Sequence, residues 1–309
     1  MRPKTLDKVV GQTNAKNAIQ LAIDASKKSG MMPHMLFAGK PGTGKTTLAR
    51  AVAGERKTTC YDMVASAITS EVMLMNTIMN LEAGDVLFID EIHDLPDKYA
   101  EILYTVMEDN KLSLALGYHM VNMPVPVFTL IGATNKSDDL PKPFQDRFGL
   151  ILNLDDYTQD ELADIAKLNA TIPLHPDAAM KLAIVGRGIP RITARYVDRV
   201  MDYAFKHDLK EVSSEDVDEV LKILQVNQFG LTTMDMKILT AMMVVFSGKP
   251  AGIKAIAAAV GETSKIIEEQ VEPFLLQRQY ITRLPNGRVL TEYGLQVLKA
   301  TKSLKMVVQ

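Results

Sequence analysis

The 309-residue chain has no tryptophan, one cysteine and only 6% aromatic residues. A single thiol, Cys60, excludes an internal disulfide, which fits an intracellular, cytoplasmic protein better than a secreted one. Five histidines (His34, His93, His119, His175, His207) are scattered and have no cysteine partners, which argues against a zinc site. No apolar run approaches transmembrane length, and no apolar h-region follows Met1-Arg2-Pro3-Lys4-Thr5, so neither membrane insertion nor secretion is expected. Charge of one sign is also lacking overall, at a net −2. It is unevenly placed. From Gln225 to Gln309, 10 Lys+Arg stand against 6 Asp+Glu, a local +4, which leaves −6 on residues 1–224. A basic end on an acidic body hints at a polyanionic partner. What is abundant is apolar residues, 47% including 18 methionines, enough for two or three domains with real cores.

The most informative segment is Gly39-Lys40-Pro41-Gly42-Thr43-Gly44-Lys45-Thr46-Thr47. An apolar run, Met35-Leu36-Phe37-Ala38, precedes it and a helical pattern follows it. Strand, glycine-rich turn, helix is the context of a phosphate-binding loop. Glycines let several N–H groups point at one phosphate, and the helix N-terminus adds positive partial charge. In such a loop Lys45 reaches the β- and γ-phosphates of ATP, and the Thr46 hydroxyl ligates Mg²⁺.

Four further segments have the chemistry to complete an ATPase. Asp85-Val86-Leu87-Phe88-Ile89-Asp90-Glu91 reads as a buried strand ending in two carboxylates. Asp90 suits the metal, and Glu91 suits the attacking water. Ile131-Gly132-Ala133-Thr134-Asn135 ends another strand, where Asn135 could orient water. In Asp146-Arg147-Phe148-Gly149, Arg147 could project to a neighbouring subunit's γ-phosphate, and in Gly188-Ile189-Pro190-Arg191, Arg191 could read the nucleotide from a lid.

The organisation agrees. Strands expected at 35–39, 60–64, 85–90, 128–132 and 149–154 alternate with helices, which implies a parallel sheet covered on both faces. Only helices are expected from Thr158 to Leu224. Three helices and a two-stranded wing around Leu284-Pro285-Asn286-Gly287 suggest a winged helix thereafter. The expected domains are therefore an α/β ATPase domain at 1–157, a helical lid at 158–224 and a winged helix at 225–309.

In this order the motifs resemble the AAA+ ATPases, and more closely their RuvB family of Holliday-junction branch-migration motors. The likeness extends to Arg2-Pro3-Lys4-Thr5-Leu6-Asp7-Lys8-Val9-Val10-Gly11-Gln12, to Phe88-Ile89-Asp90-Glu91-Ile92-His93, and to Glu272-Pro273-Phe274-Leu275-Leu276-Gln277. It implies that Arg2, Val9 and Val10 line an adenine pocket. It also implies a homo-oligomeric, hexameric ring acting on the four-way junction or its duplex arms. Arg283 and Arg288 in the wing would touch DNA phosphates, unless they form only a solvated basic face. The chain departs from the family at Asn135 (usually Thr), at Gln145 (often Arg), at Asn286 (Arg) and in Lys111–Val127, which looks shorter than the hairpin that docks the partner RuvA. A divergent partner, as in a phage or mobile-element version, is one reading of that change. Two other functions stay open: remodelling of a protein or protein–DNA complex, and a clamp-loader-like ATP switch.

Overall fold

The computed structural model describes residues 3–116 and 119–307, with side chains described at 3–112 and 121–301. Arg2, Gly117 and Tyr118 lie outside the described residues. The chain divides into two compact units: 1–168 with 188–192, and 169–187 with 193–309.

The first unit carries helices α1 (Thr13–Ser29), α2 (Lys45–Arg56), α3 (Glu71–Met79), α4 (Asp97–Asp109) and α5 (Lys142–Gln145) around strands β1 (Met35–Ala38), β2 (Cys60–Val64), β3 (Val86–Asp90), β6 (Thr129–Thr134) and β7 (Leu150–Asn153). Strands β4 (Lys111–Leu116) and β5 (His119–Pro124) form a separate antiparallel hairpin, and α6 (Gln159–Asn169) closes the unit. The five-stranded sheet has order β2-β3-β6-β1-β7, and all its pairings are parallel. The central strands are unbroken apolar runs because both faces are covered. Along β3, Leu87 and Ile89 enter one core, and Val86 and Phe88 enter the other. Phe88 is almost fully buried, so its truncation to alanine would cost about 3–5 kcal/mol.

Gly132 on β6 leaves room for a side chain from across the acidic strand end. A Cβ there would lie 2.8 Å from Ile92 Cδ1. His34, half-buried against Phe128, accepts a hydrogen bond from the Leu130 N–H through Nδ1 at 2.9 Å. Burial pushes its pKa down to about 4, so it stays neutral and pins the start of β6.

The second unit holds α7 (Pro176–Val185), most of α8 (Pro190–Lys206) and α9 (Ser214–Ile223), followed by α10 (Thr233–Val244) and α11 (Ile253–Val260). Ser213 and Thr232 cap α9 and α10 through full capping boxes with Asp216 and Asp235. The sequence suggests one helix across 264–278. The structure breaks it into α12 (Ser264–Ile266), a π-turn (Ile267–Val271) and α13 (Glu272–Gln277). Pro273 has no N–H to continue the ladder, which accounts for the break. Strands β8 (Ile281–Leu284) and β9 (Gly287–Leu290) form the wing, and Ala251 bridges to Arg288 outside them. Gly287 permits this approach: a Cβ would lie 2.5 Å from the Ala251 carbonyl oxygen. A last helix, α14 (Glu292–Val307), was not legible in the sequence. The Thr291 hydroxyl starts it by accepting from the Gly294 N–H at 2.9 Å.

Candidate active site

The loop between β1 and α2 needs left-handed backbone at Gly42 (φ 85°) and Gly44 (φ 98°). A Cβ on Gly42 would sit 2.9 Å from the Cβ of Arg191, so the glycine is required for close passage of the Gly188–Ile192 segment. Gly44 is the N-cap of α2 and offers no side-chain cap. The first intrahelical bond runs from the Leu48 N–H to the Gly44 carbonyl, which leaves the N–H groups of Lys45, Thr46 and Thr47 outside the ladder. Such a helix start is ready for an anion.

Lys45 is 6% exposed, and its ammonium donates to the carbonyls of Gly39 (2.7 Å) and Lys40 (3.1 Å). Burial lowers its pKa; Glu91 and Asp90 pull the other way, and Arg191 adds to the lowering. A buried cation held only by carbonyls suits a phosphate group, which restores the missing negative charge. Around the loop, the Tyr157 hydroxyl donates to the Thr43 carbonyl at 3.1 Å, and Lys40 pairs with Asp156 at 2.6 Å. Burial raises the Tyr157 pKa. Gly11 and Gln12 are both left-handed (φ 69° and 53°), and a Cβ on Gly11 would touch the Tyr157 ring at 2.8 Å. Val9 is buried and its carbonyl accepts from Lys16 at 2.7 Å; Val10 is half-buried beside it in the chain.

At the end of β3, Asp90 accepts from the Glu91 N–H at 3.1 Å. Glu91 sits in the left-handed region (φ 50°, ψ 45°), a costly backbone for this residue that turns its side chain away from the strand line. Its Oε2 is buried and has no hydrogen-bond partner among the described residues, with His93 Nδ1 3.4 Å away. The same carboxylate acts electrostatically on buried Lys45, opposing the lowering of its pKa. Asn135 lies just past β6 and is exposed. The buried neighbour is Thr134, whose hydroxyl accepts from the Lys136 N–H (2.9 Å) and stands 3.0 Å from His93 Nδ1. Thr134, His93 and Tyr157 are the residues that sequence reasoning did not single out. Arg147 pairs with Glu108 of α4 at 2.8 Å and reaches the Pro143 carbonyl at 3.4 Å; its Nε is buried and has no partner among the described residues.

Asp90 and Thr46 supply oxygen donors of the type Mg²⁺ takes, and among the described residues no cluster of three acidic, histidine or cysteine side chains forms a dedicated metal cage.

Three family models cover nearly the whole chain: the Holliday junction DNA helicase RuvB P-loop domain over residues 1–154, the RuvB AAA lid domain over 157–227 and the RuvB C-terminal winged helix domain over 228–299. The chain belongs to the RuvB family. It is 40% identical over 307 residues to the "Holliday junction branch migration complex subunit RuvB" of Fervidobacterium nodosum, covering 96% of this chain and 88% of that protein. The protein of the same name from Bifidobacterium adolescentis is 39% identical over 309 residues, with 97% and 85% covered. A solved structure of Thermotoga maritima RuvB, described as the Holliday junction branch migration motor, superposes with a TM-score of 0.81 at 37% identity, covering 96% of this chain and 98% of that one.

As a RuvB-family protein the chain is a nucleotide-binding P-loop ATPase of AAA+ fold with a lid and a winged helix. In that winged helix the two arginines singled out from sequence converge on one buried carboxylate. Glu272 is 1% exposed and accepts from Arg283 Nε (3.0 Å) and from Arg288 Nε (2.7 Å). Burial raises its pKa, but the two guanidiniums outweigh it and hold the carboxyl at about 2. The Arg288 side chain is only 16% exposed and also reaches Glu268 at 3.2 Å; that of Arg283 is 58% exposed. The hairpin of residues 111–124 forms as an antiparallel pair, with Leu114 opposite Val121. Among the described residues no helix is long and apolar enough to cross a membrane.

Proposed function

We propose that the chain is an ATP-hydrolysing ring motor that moves DNA and so drives branch migration of Holliday junctions in recombination and repair. The reading is supported by likeness over 96% of this chain to a protein named for that activity, in a chain that carries the phosphate loop and the acidic strand end. The working division is 1–157 for hydrolysis, 158–224 for the lid and 225–309 for DNA.

In this reading the N–H groups of Gly42, Thr43, Gly44, Lys45, Thr46 and Thr47 cradle the phosphates, with Gly39 and Pro41 shaping the loop, while Val9 and Val10 face the adenine, joined by Arg2. Thr46 and Asp90 would hold Mg²⁺, which would supply positive charge to the phosphate oxygens. Lys45 adds positive charge on the same oxygens. Glu91 orients the attacking water through its unpaired oxygen and takes up its proton as the water oxygen bonds to the γ-phosphorus. The bond to the ADP oxygen breaks, giving ADP and inorganic phosphate. Asn135 lies at the strand end where it can steady the water. Arg147 leaves Glu108 for the neighbour's γ-phosphate, and Arg191 follows the same phosphate from its own subunit. Arg283, the more exposed of the two wing arginines, makes the phosphate contact to DNA; Arg288 keeps the wing in place. A hexameric ring with the 111–127 hairpin facing a RuvA-like partner completes the proposal.

The test is ATP-driven strand exchange on a synthetic four-way junction, with and without a RuvA-type protein. Exchange requiring hydrolysis supports the motor. Junction binding with ATP but no exchange under either condition would favour the clamp-loader-like switch. No salt-dependent affinity for four-way over linear DNA would favour remodelling of a protein complex.

A further inference from the structure

Within the second unit, one arginine joins the lid to the winged helix. Arg187 ends the turn after α7 in the left-handed conformation (φ 58°). Its Nε donates to the Gly230 carbonyl at 2.9 Å, and its Nη2 pairs with Asp235 at 2.5 Å. The guanidinium also lies 4.0 Å over the Phe274 ring. Asp235, only 1% exposed, is the residue that closes the capping box of α10, and Phe274 belongs to α13. The arginine side chain is itself 11% exposed, so the pair is desolvated on both sides. The backbones are equally close there: a Cβ on Gly230 would meet Val185 Cα at 3.1 Å.

The place of this contact along the chain matters. Arg187 is the last residue of the second unit before the chain enters the first unit as Gly188–Ile192, and Arg191 lies four residues on, against the phosphate loop. An ordinary surface pair would leave the winged helix free to pivot on its linker. A guanidinium with three desolvated partners on the start of α10, its leading loop and α13 does not.

We infer that Arg187 is a positioning residue that fixes the winged helix to the lid, so that a shift of the Gly188–Ile192 segment with nucleotide state reaches the winged helix undivided. This rests on the motor reading for its purpose but not for its geometry. It uses no contact with nucleotide or DNA by Arg187 itself.

Two measurements on the full chain test it. Nitroxide labels at Glu215→Cys on α9 and Glu269→Cys before α13, in a Cys60→Ser background, report the lid-to-winged-helix distance. We expect one narrow distribution that is the same without nucleotide, with ADP and with a non-hydrolysable ATP analogue. It should broaden in Arg187→Ala. Because that variant strands a buried aspartate, the paired variant Arg187→Met with Asp235→Asn, which removes both charges, serves as the folded control and should broaden likewise. A distribution that stays narrow in the paired variant overturns the inference, as does a wild-type distance that changes with nucleotide.

The second readout is base pairs migrated per ATP hydrolysed. Coupling between sites commonly amounts to about 5–150-fold, so the paired variant should lose about fivefold or more of that ratio while its ATP turnover changes little. A merely destabilising role lowers both rates together and leaves the ratio unchanged, which would also overturn it. If wild-type protein moves no junction, the motor reading fails, and the label distances still decide the role of Arg187.

Discussion

Replacing Glu272 with glutamine tests the energetic centre of the winged helix. The carboxylate is buried beneath Arg283 and Arg288 and takes four hydrogen bonds of 2.7–3.2 Å from them. Its pKa falls from 4.5 to about 2. Each unit is worth about 1.4 kcal/mol, and half-exposed Arg283 is partly screened, so the paired state stabilises the fold by about 2–3 kcal/mol. The sign follows from the direction of the shift. Because the folded value lies below the unfolded one, the contribution is whole above pH 4.5 and is lost as the pH falls through about 2. Hydrogen–deuterium exchange of the wing, residues 281–290, corrected for intrinsic rates, reads this locally in a chain without tryptophan. At pH 7, Glu272→Gln should speed exchange by about 30–150-fold. Wild-type protection should decline between pH 4.5 and 2.5, and the variant should show much less of that decline. Equal exchange of the two proteins at pH 7, or a wild-type wing indifferent to acid, would refute the account.

Glu91→Gln should bind ATP normally and lose about 10²–10⁴ in turnover, since it keeps shape without the proton-accepting oxygen; single-turnover hydrolysis at the wild-type rate would remove Glu91 from that role. Arg147→Ala should leave nucleotide binding by an isolated subunit intact and lower hydrolysis in the assembly by about 10³–10⁵. Mixed with Lys45→Ala subunits, which are themselves expected to be inactive, it should regain activity wherever intact Lys45 faces intact Arg147. Silence in assemblies shown to be mixed would argue against a finger acting in trans.

What could be read from the sequence was local. The apolar run Val86–Ile89 and the turn Gly39–Thr47 announce strand and loop because their physics lies in adjacent residues. The missed features join residues far apart in the chain. Tyr157 meets Thr43 across 114 positions, and His93 meets Thr134 across 41. No periodicity marks either pair. The basic character of the wing was visible, but not that Glu272, read only as part of a motif, would draw Arg288 inward. The break in the helix over 264–278 did have a signal, Pro273, whose effect depended on how the preceding turn packs.

Gly132 has a consequence for the whole catalytic edge. Since Ile92 fills the space that a side chain at Gly132 would take, the turn after the acidic strand end packs directly onto β6 through apolar atoms, beyond the backbone ladder that pairs the two strands. Dispersion contacts of this kind are indifferent to ionic strength, whereas the charges of the wing are screened within about 10 Å at 0.1 M salt. If the wing makes the phosphate contact proposed for Arg283, added salt would loosen that contact while the apolar packing between Ile92 and Gly132 stays as the hydrocarbon set it.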